Sequence, residues 1–356
     1  MITTREVGLL RLAAQRVAAP SGSAAEVVRH LAAVQAQDHP GALSSVALRT
    51  AAGTVAGVEA ALDAGEVVRS WPMRGTLHLL AAEDLRWMLD LTTERLVAGA
   101  AARRAGLGIE VGMLSRAREL AEGVLAGGRR CTRRELLARW EGAELLGVPQ
   151  RGYHLLWHLS QTGLLCFGPT GGGEQLLVLL DEWVPARGAP ARDEALGAWA
   201  LRYFTSHGPA TVKDFTTWTG LLAGDVRTAL ALAAPQLERV EVDGVEHWMS
   251  PAAPAALDAC RERAEGVFLL PGFDEFLLGY TDRRAVLPAE HAQAICPGGN
   301  GIFRPTVVVG GQVVGTWRRP ARGAGQAAAT PFTDFGDAAP GVEAALQRVG
   351  PPGQRS

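Results

Sequence analysis

Gln35 and Gln37 stand one residue apart in the run Val34-Gln35-Ala36-Gln37-Asp38-His39-Pro40, where a helical stretch from Ala24 to Val34 runs out into a His-Pro-Gly turn. Helical neighbours sit three or four residues apart, so amides two apart converge only if the backbone leaves the helical path. Two neutral amides can hold and orient a water molecule without titrating. That is weak equipment against most bonds and enough against a bond already activated. On this run alone the same residues also read as a helix C-terminus dressed with polar side chains.

Other chemistry-bearing groups are sparse. His154 and His158 lie four apart on one helical face but lack the glutamate of a metalloprotease helix, so core or surface histidines are expected and no metal site. Cys131, Cys166, Cys260 and Cys296 are widely spaced and form no C-x-x-C pair, which reads as reduced core thiols. Asn300-Gly301 has no G-K-[ST] continuation, which argues against nucleotide hydrolysis. Lys213 is the sole lysine. Arginine therefore supplies nearly all positive charge; it suits bidentate phosphate contacts, although the skew by itself decides nothing about partners. The formal net charge of −2 argues against an indiscriminate polyanion binder, so any nucleic-acid surface must concentrate its charge locally.

The elements that must position these residues form a pattern. Glu194 to Thr205, Val212 to Trp218 (capped by Thr211) and Ala223 to Ala234 read as three helices. Leu237–Val242 and Val245–Met249 follow as a hairpin joined by Asp243-Gly244. Three helices and a two-stranded ribbon make a winged helix-turn-helix. The same order recurs at Leu114–Leu125, Arg133–Trp140 behind Thr132, Arg151–Thr162, Leu164–Phe167 and Gln175–Leu180, with a tip at Gly171-Gly172-Gly173. A less regular copy lies upstream, with helices Ala24–Val34 and Val58–Val68 and a strand Met73–Leu80. Such repetition suggests a tandem array. Beyond it Val267–Leu270, Thr306–Val309 and Val313–Trp317 are β-like, with a turn at Gly310-Gly311; after Arg319 a loosely ordered tail is expected, with one last helix near 341–349.

At 356 residues the chain is expected to fold as several domains. It shows no signal-like N-terminus and no apolar run long enough for a bilayer, so a cytoplasmic protein without membrane contact is expected.

Four stretches in order resemble the AlkZ-like DNA glycosylases, of the bacterial winged-helix superfamily that includes the YcaQ crosslink-repair enzymes. They are Val34-Gln35-Ala36-Gln37, Met73-Arg74-Gly75-Thr76-Leu77-His78-Leu79, Leu270-Pro271-Gly272-Phe273-Asp274-Glu275-Phe276-Leu277-Leu278-Gly279-Tyr280, and Asn300-Gly301-Ile302-Phe303-Arg304-Pro305-Thr306-Val307. The resemblance covers about the whole folded chain. It implies an α+β, mainly helical fold, with tandem winged-helix units in a C-shaped array followed by a small β-rich C-terminal domain. The expected boundaries are 1–95, 96–190, 191–255 and 256–356. The implied activity is hydrolysis of the N-glycosidic bond of N7-alkylated purines, including bulky adducts and interstrand crosslinks, in DNA repair or self-resistance to a genotoxic natural product.

The family's Gln–hydrophobic–Gln catalytic motif falls on Gln35, Ala36 and Gln37; the YcaQ branch has aspartate at the second glutamine, so this chain looks like the AlkZ branch. The implied partner is double-stranded DNA carrying alkylated purines, bound by a nucleoid-associated monomer with no cofactor. A single lysine on a solvated helix favours a monofunctional enzyme without lyase chemistry. The resemblance puts the Gly310-Gly311 hairpin, with Gln312 at its tip, into a DNA groove, with Arg318 and Arg319 on phosphates. Arg129, Arg130, Arg133 and Arg134 sit badly for the dipole at a helix start, which favours phosphate binding. Arg74 and His78 share one side of the expected strand and so could face the cleft of Gln35 and Gln37. Asp274 and Glu275 suit structural pairing with Arg283 or Arg284. The reading from another class is a non-catalytic winged-helix regulator, expected to dimerise on a two-fold site.

Overall fold

The computed structural model describes residues 2–185, 188, 190–319 and 326–349. The chain divides into two compact units: residues 1–58 with 196–356 form the first, and residues 59–195 the second.

The first unit opens with helix α1 (Thr4–Ala14), capped by Thr3, and helix α2 (Ala24–Leu31), closed at its start by a Ser23–Glu26 capping box. Helix α2 stops at Ala32, whose φ of 64° breaks the helical path. Val34–Gln35 is then a short strand, β1, and helix α3 follows at His39–Ala47. The His-Pro-Gly run is thus a helix start rather than a turn; Pro40 is tolerated because the first helical N–H groups have no partner to lose. Leu9, Leu12, Leu257, Leu270, Phe276, Ile295, Val308 and Val313 make the unit's main core.

The helices Arg192–His207, Val212–Thr219 and Ala223–Ala233 precede the hairpin Glu238–Val242/Val245–Met249, close to expectation. A Thr211–Asp214 capping box starts the second of these helices, and Tyr203, Phe204, Phe215 and Trp218 interlock with ring centroids 5.2–5.5 Å apart. Further along, an antiparallel sheet has the order 328–331, 312–318, 306–309, 267–270. The helix Ala339–Gln347 lies close to the last helix expected near 341–349, whereas the strand Ala328–Pro331 lies where a loose tail is expected. They are held by pairing to Gln312–Arg318 and by Val342 packed with Val307 and Trp317. The remainder of that tail, 320–325 and 350–356, lies outside the described residues.

In the second unit the segment Met73–Leu80 is a hairpin, not one strand. Val67–Met73 pairs with Thr76–Ala81, and Arg74 (φ 55°) and Gly75 (φ 69°) supply the two positive-φ turn positions. Residues 67–68, expected as helix, are therefore strand; the helix before them is Val55–Asp63. A second hairpin, Leu165–Gly171/Glu174–Leu179, joins the first through Arg69 opposite Phe167, and Cys131–Thr132 pairs with its outer strand. Around this sheet Trp71, Trp140, Leu155, Leu165 and Leu177 are buried in one core. The helices Val111–Leu125, Arg133–Gly142 and Arg151–Gln161 match the expected series, with a Thr132–Glu135 capping box.

Candidate functional site

The path around Gln35 and Gln37 is fixed by residues far away in sequence. In β1 the backbone is extended at Val34–Gln35, and the chain leaves the strand at Ala36 and bends at Gln37 before α3 begins. Ala36 is fully buried, Gln35 is 9% exposed and Gln37 is exposed. The motif thus has an anchored first amide and an outward second one.

Beneath it lies a buried ionic platform supplied by Asp274 and Glu275. Oε1 of Glu275 accepts the Gln35 backbone N–H at 3.0 Å, and Oε2 accepts the Trp218 indole N–H at 2.9 Å. His207 Nε2 stands 3.5 Å from the same Oε2, its ring stacked on Tyr203 at 4.6 Å. Burial pushes the Glu275 carboxyl upward; the His207 hydrogen bond and charge and the Gln35 and Trp218 donors outweigh it, so the group is held below the ordinary carboxylate range.

Asp274 grips α3, the helix that follows the motif, and Arg49 just beyond it. Its two oxygens take both terminal nitrogens of Arg49 at 2.8 and 2.9 Å, and Ser45 of α3 donates to it at 2.7 Å. Arg49 also donates to the Gln15 carbonyl and side chain, and Gln15 reaches Tyr280, whose hydroxyl donates to the His207 carbonyl at 2.7 Å. The Asp274 and Arg49 charges are paired and hydrogen-bonded, the condition under which burial of charge is tolerated. The expected partners Arg283 and Arg284 are elsewhere. Arg283 donates to the Leu277 carbonyl and Arg284 pairs with Asp282. Gly279 is required in this arrangement, since a methyl group on it would come 2.5 Å from His207 Cδ2.

The Gly310-Gly311 turn is buried against α1: a methyl group on Gly8 would lie 2.2 Å from the Gly311 carbonyl oxygen. The Gln312 amide donates to the Ala285 carbonyl. The turn is thus packed against α1, and the Gln312 amide is engaged within the protein. Arg318 and Arg319 are exposed at the end of the strand, and Arg319 donates to Ser44 Oγ of α3 at 3.2 Å. Arg133 and Arg134 are exposed on the first turn of their helix. Arg129 instead donates to the Ala126 and Gly123 carbonyls at the C-terminal end of Val111–Leu125, where positive charge is favoured.

Arg74 and His78 belong to the second unit. The Arg74 guanidinium lies 3.3 Å from His78 Nε2, and Nδ1 of the fully buried His78 lies 2.9 Å from the Thr76 carbonyl oxygen. Lys213 is exposed. A groove of about 820 Å³ in the first unit is lined by Val17, Leu48, Arg263, Phe268 and Val349, and neither glutamine lines it. Among the described residues no group of His, Cys, Asp or Glu has metal-holding geometry, and no helix is long and apolar enough to cross a membrane.

Comparison with known proteins gives the family of the chain. Residues 28–351 match the family model described as "DNA glycosylase AlkZ-like". An interstrand DNA cross-link repair glycosylase of Streptomyces sahachiroi is 30% identical over 306 residues, 83% of this chain and 82% of that relative. The solved structure of Streptomyces sahachiroi DNA glycosylase AlkZ superposes with a TM-score of 0.79 at 29% identity, covering 96% of this chain and 94% of that one. The protein is thus an enzyme of the DNA glycosylase class rather than a regulator. Within that class the chain belongs to the AlkZ-like DNA glycosylase family.

Proposed function

We propose that the protein hydrolyses the N-glycosidic bond of N7-alkylated purines in double-stranded DNA, bulky adducts and interstrand crosslinks included, with Gln35 and Gln37 orienting the water. The observation that carries this reading is the non-helical Gln-Ala-Gln segment whose first N–H is tied to the buried Glu275 carboxylate. Alkylation at N7 leaves the purine cationic. When the bond from C1′ to the base nitrogen breaks, the electron pair departs with the base and neutralises it. Water then adds to the oxocarbenium-like C1′ and loses its proton to solvent, leaving an abasic sugar. Amide oxygens suffice to orient that water and lean partial negative charge toward the sugar, because no strong base is needed.

The relative's crosslink repair supports extension of the substrate range to crosslinks, with self-resistance to a DNA-alkylating natural product as the physiological setting. The helix-and-hairpin series at 96–190 and 191–255, with the segment 1–95, is read as three winged-helix-like units ahead of a β-rich end, working as a monomer on duplex DNA. Arg133, Arg134, Arg318 and Arg319 are its proposed phosphate contacts. Lys213, an exposed helix residue, has no part in catalysis, so the product is an intact abasic site.

The test is release of N7-methylguanine from a labelled duplex by the native protein, Gln35→Ala and Gln37→Ala. Release by the native protein that fades in both variants is expected. Release that survives both substitutions, or tight duplex binding with no release by the native protein, would overturn the reading.

A further inference from the structure

Phe273 has an unfavourable backbone conformation, with φ of 60° in a bulky aromatic residue. Such strain costs on the order of 1–3 kcal/mol and persists where the surroundings impose it, often at functional positions. The surroundings here are two contacts that bracket the residue. On its N-terminal side the Gly272 carbonyl oxygen would lie 3.4 Å from a methyl group on Gly41, in the first turn of α3. On its C-terminal side Asp274 and Glu275 hold Ser45 and the Gln35 N–H. The chain at 272–275 therefore runs alongside the chain at 35–45, and Phe273 cannot move away from the Gln-Ala-Gln segment without disrupting one side or the other.

The ring has not been drawn into the core. Phe273 is half-buried and meets the half-buried Phe303 with centroids 6.5 Å apart at 57°. The Arg283 guanidinium lies 4.9 Å from the Phe303 centroid, which backs the pair with a cation held in turn by the Leu277 carbonyl. Ile302, next in the chain, is 58% exposed. A strained aromatic ring kept partly in solvent, on backbone that runs alongside the Gln-Ala-Gln segment, is an expensive arrangement for packing alone.

We propose that Phe273, supported by Phe303, is a specificity-determining residue that offers its ring face to the cationic alkylated purine. A positive charge over an aromatic face is attracted by the ring quadrupole, whereas a neutral purine gains stacking only. This deepens the reading that Gln35 and Gln37 form the reaction centre, and rests on it for the location of the base.

The test is binding rather than turnover. The probes are a duplex carrying one 2′-fluoro-N7-methylguanosine, in which the fluorine suppresses bond cleavage, and the same duplex with unmodified guanine. Native protein is expected to prefer the cationic duplex by about fivefold to tenfold. Phe273→Leu should abolish that preference, weakening binding of the cationic duplex more than that of the unmodified one, which loses stacking only, and Phe273→Trp should keep it. Phe303→Leu, which removes the support without touching the strained position, should weaken the preference if Phe273→Leu does not fold. Preference retained in the leucine variants, equal loss on both duplexes, or no preference in the native protein would overturn the proposal. Preferential binding without release from the cleavable duplex would overturn the catalytic assignment of the glutamines and leave this one standing.

Discussion

Glu275 and Gln35 meet across 240 positions of sequence, the carboxylate accepting the backbone N–H at 3.0 Å. The first catalytic candidate is therefore positioned through its main chain by a buried charge. Glu275→Gln keeps the shape and one acceptor but removes the charge and sets an NH₂ group against the Trp218 indole or the Gln35 N–H. We expect turnover to fall about tenfold with duplex affinity within about twofold, as for a group acting on positioning. Trp218→Phe should cost roughly 1.5–3 kcal/mol of stability, as for a hydrogen bond to a charged group. Single-turnover release and thermal unfolding check both; unchanged turnover in Glu275→Gln would remove the positioning role.

Asp274 and Arg49 form a fully buried pair with two parallel hydrogen bonds. Removing one partner strands the other charge, at a cost of about 3–5 kcal/mol. Asp274→Ala should therefore unfold at markedly lower denaturant than native. The double variant Asp274→Ala/Arg49→Met should recover part of that loss, and strict additivity in the cycle would contradict the pairing.

His30 lies on α2, with Nε2 2.7 Å from the Ala14 carbonyl oxygen. Burial, with the Arg16, His207 and Arg49 charges nearby, drops its imidazole to about 4, although the Ala14 carbonyl pulls the other way. The unfolded chain then binds a proton that the folded chain refuses between about 6.5 and 4. His30 thus contributes to folding above about pH 6.5, and that contribution is lost as pH falls toward 4, reaching roughly 3 kcal/mol. Thermal unfolding across pH 4–7 should show this acid slope in the native protein and a shallower one in His30→Gln.

Arg318 and Arg319 are exposed, and Arg319 reaches Ser44 of the helix that follows Gln37. If both meet phosphates, replacing them with alanine should weaken duplex binding uniformly across sequences. The slope of log affinity against log salt should shrink by about 1 for each phosphate no longer neutralised. An unchanged slope would take them off the DNA surface.

The elements most legible in the sequence were those with local signals. Asp243-Gly244 marked its hairpin, and Thr132 and Thr211 marked helix starts whose capping boxes are present. Arg74-Gly75 escaped notice because its turn interrupts an apolar run without the usual asparagine or aspartate. Helix α3 was hidden because Pro40 resembles a terminator, although it is a first-turn residue. At the site, the Gln-x-Gln spacing correctly required non-helical backbone. What supports it is not legible: Asp274 and Glu275 reach Arg49 and Gln35 across 225 and 240 residues, beyond any periodicity. The Gly310-Gly311 turn was recognisable, but only its approach to Gly8 shows that it is covered.

The first unit is made of two stretches of chain, 1–58 and 196–356, separated by the whole of the second. On a ribosome the segment bearing Gln35 emerges early and must wait, its shape unset, until Glu275 has been made some 240 residues later. The intervening unit, continuous in sequence, has no such wait. Nascent chains halted before Asp274 should therefore contain both glutamines and be unable to excise a base, gaining that ability only once Glu275 has been made.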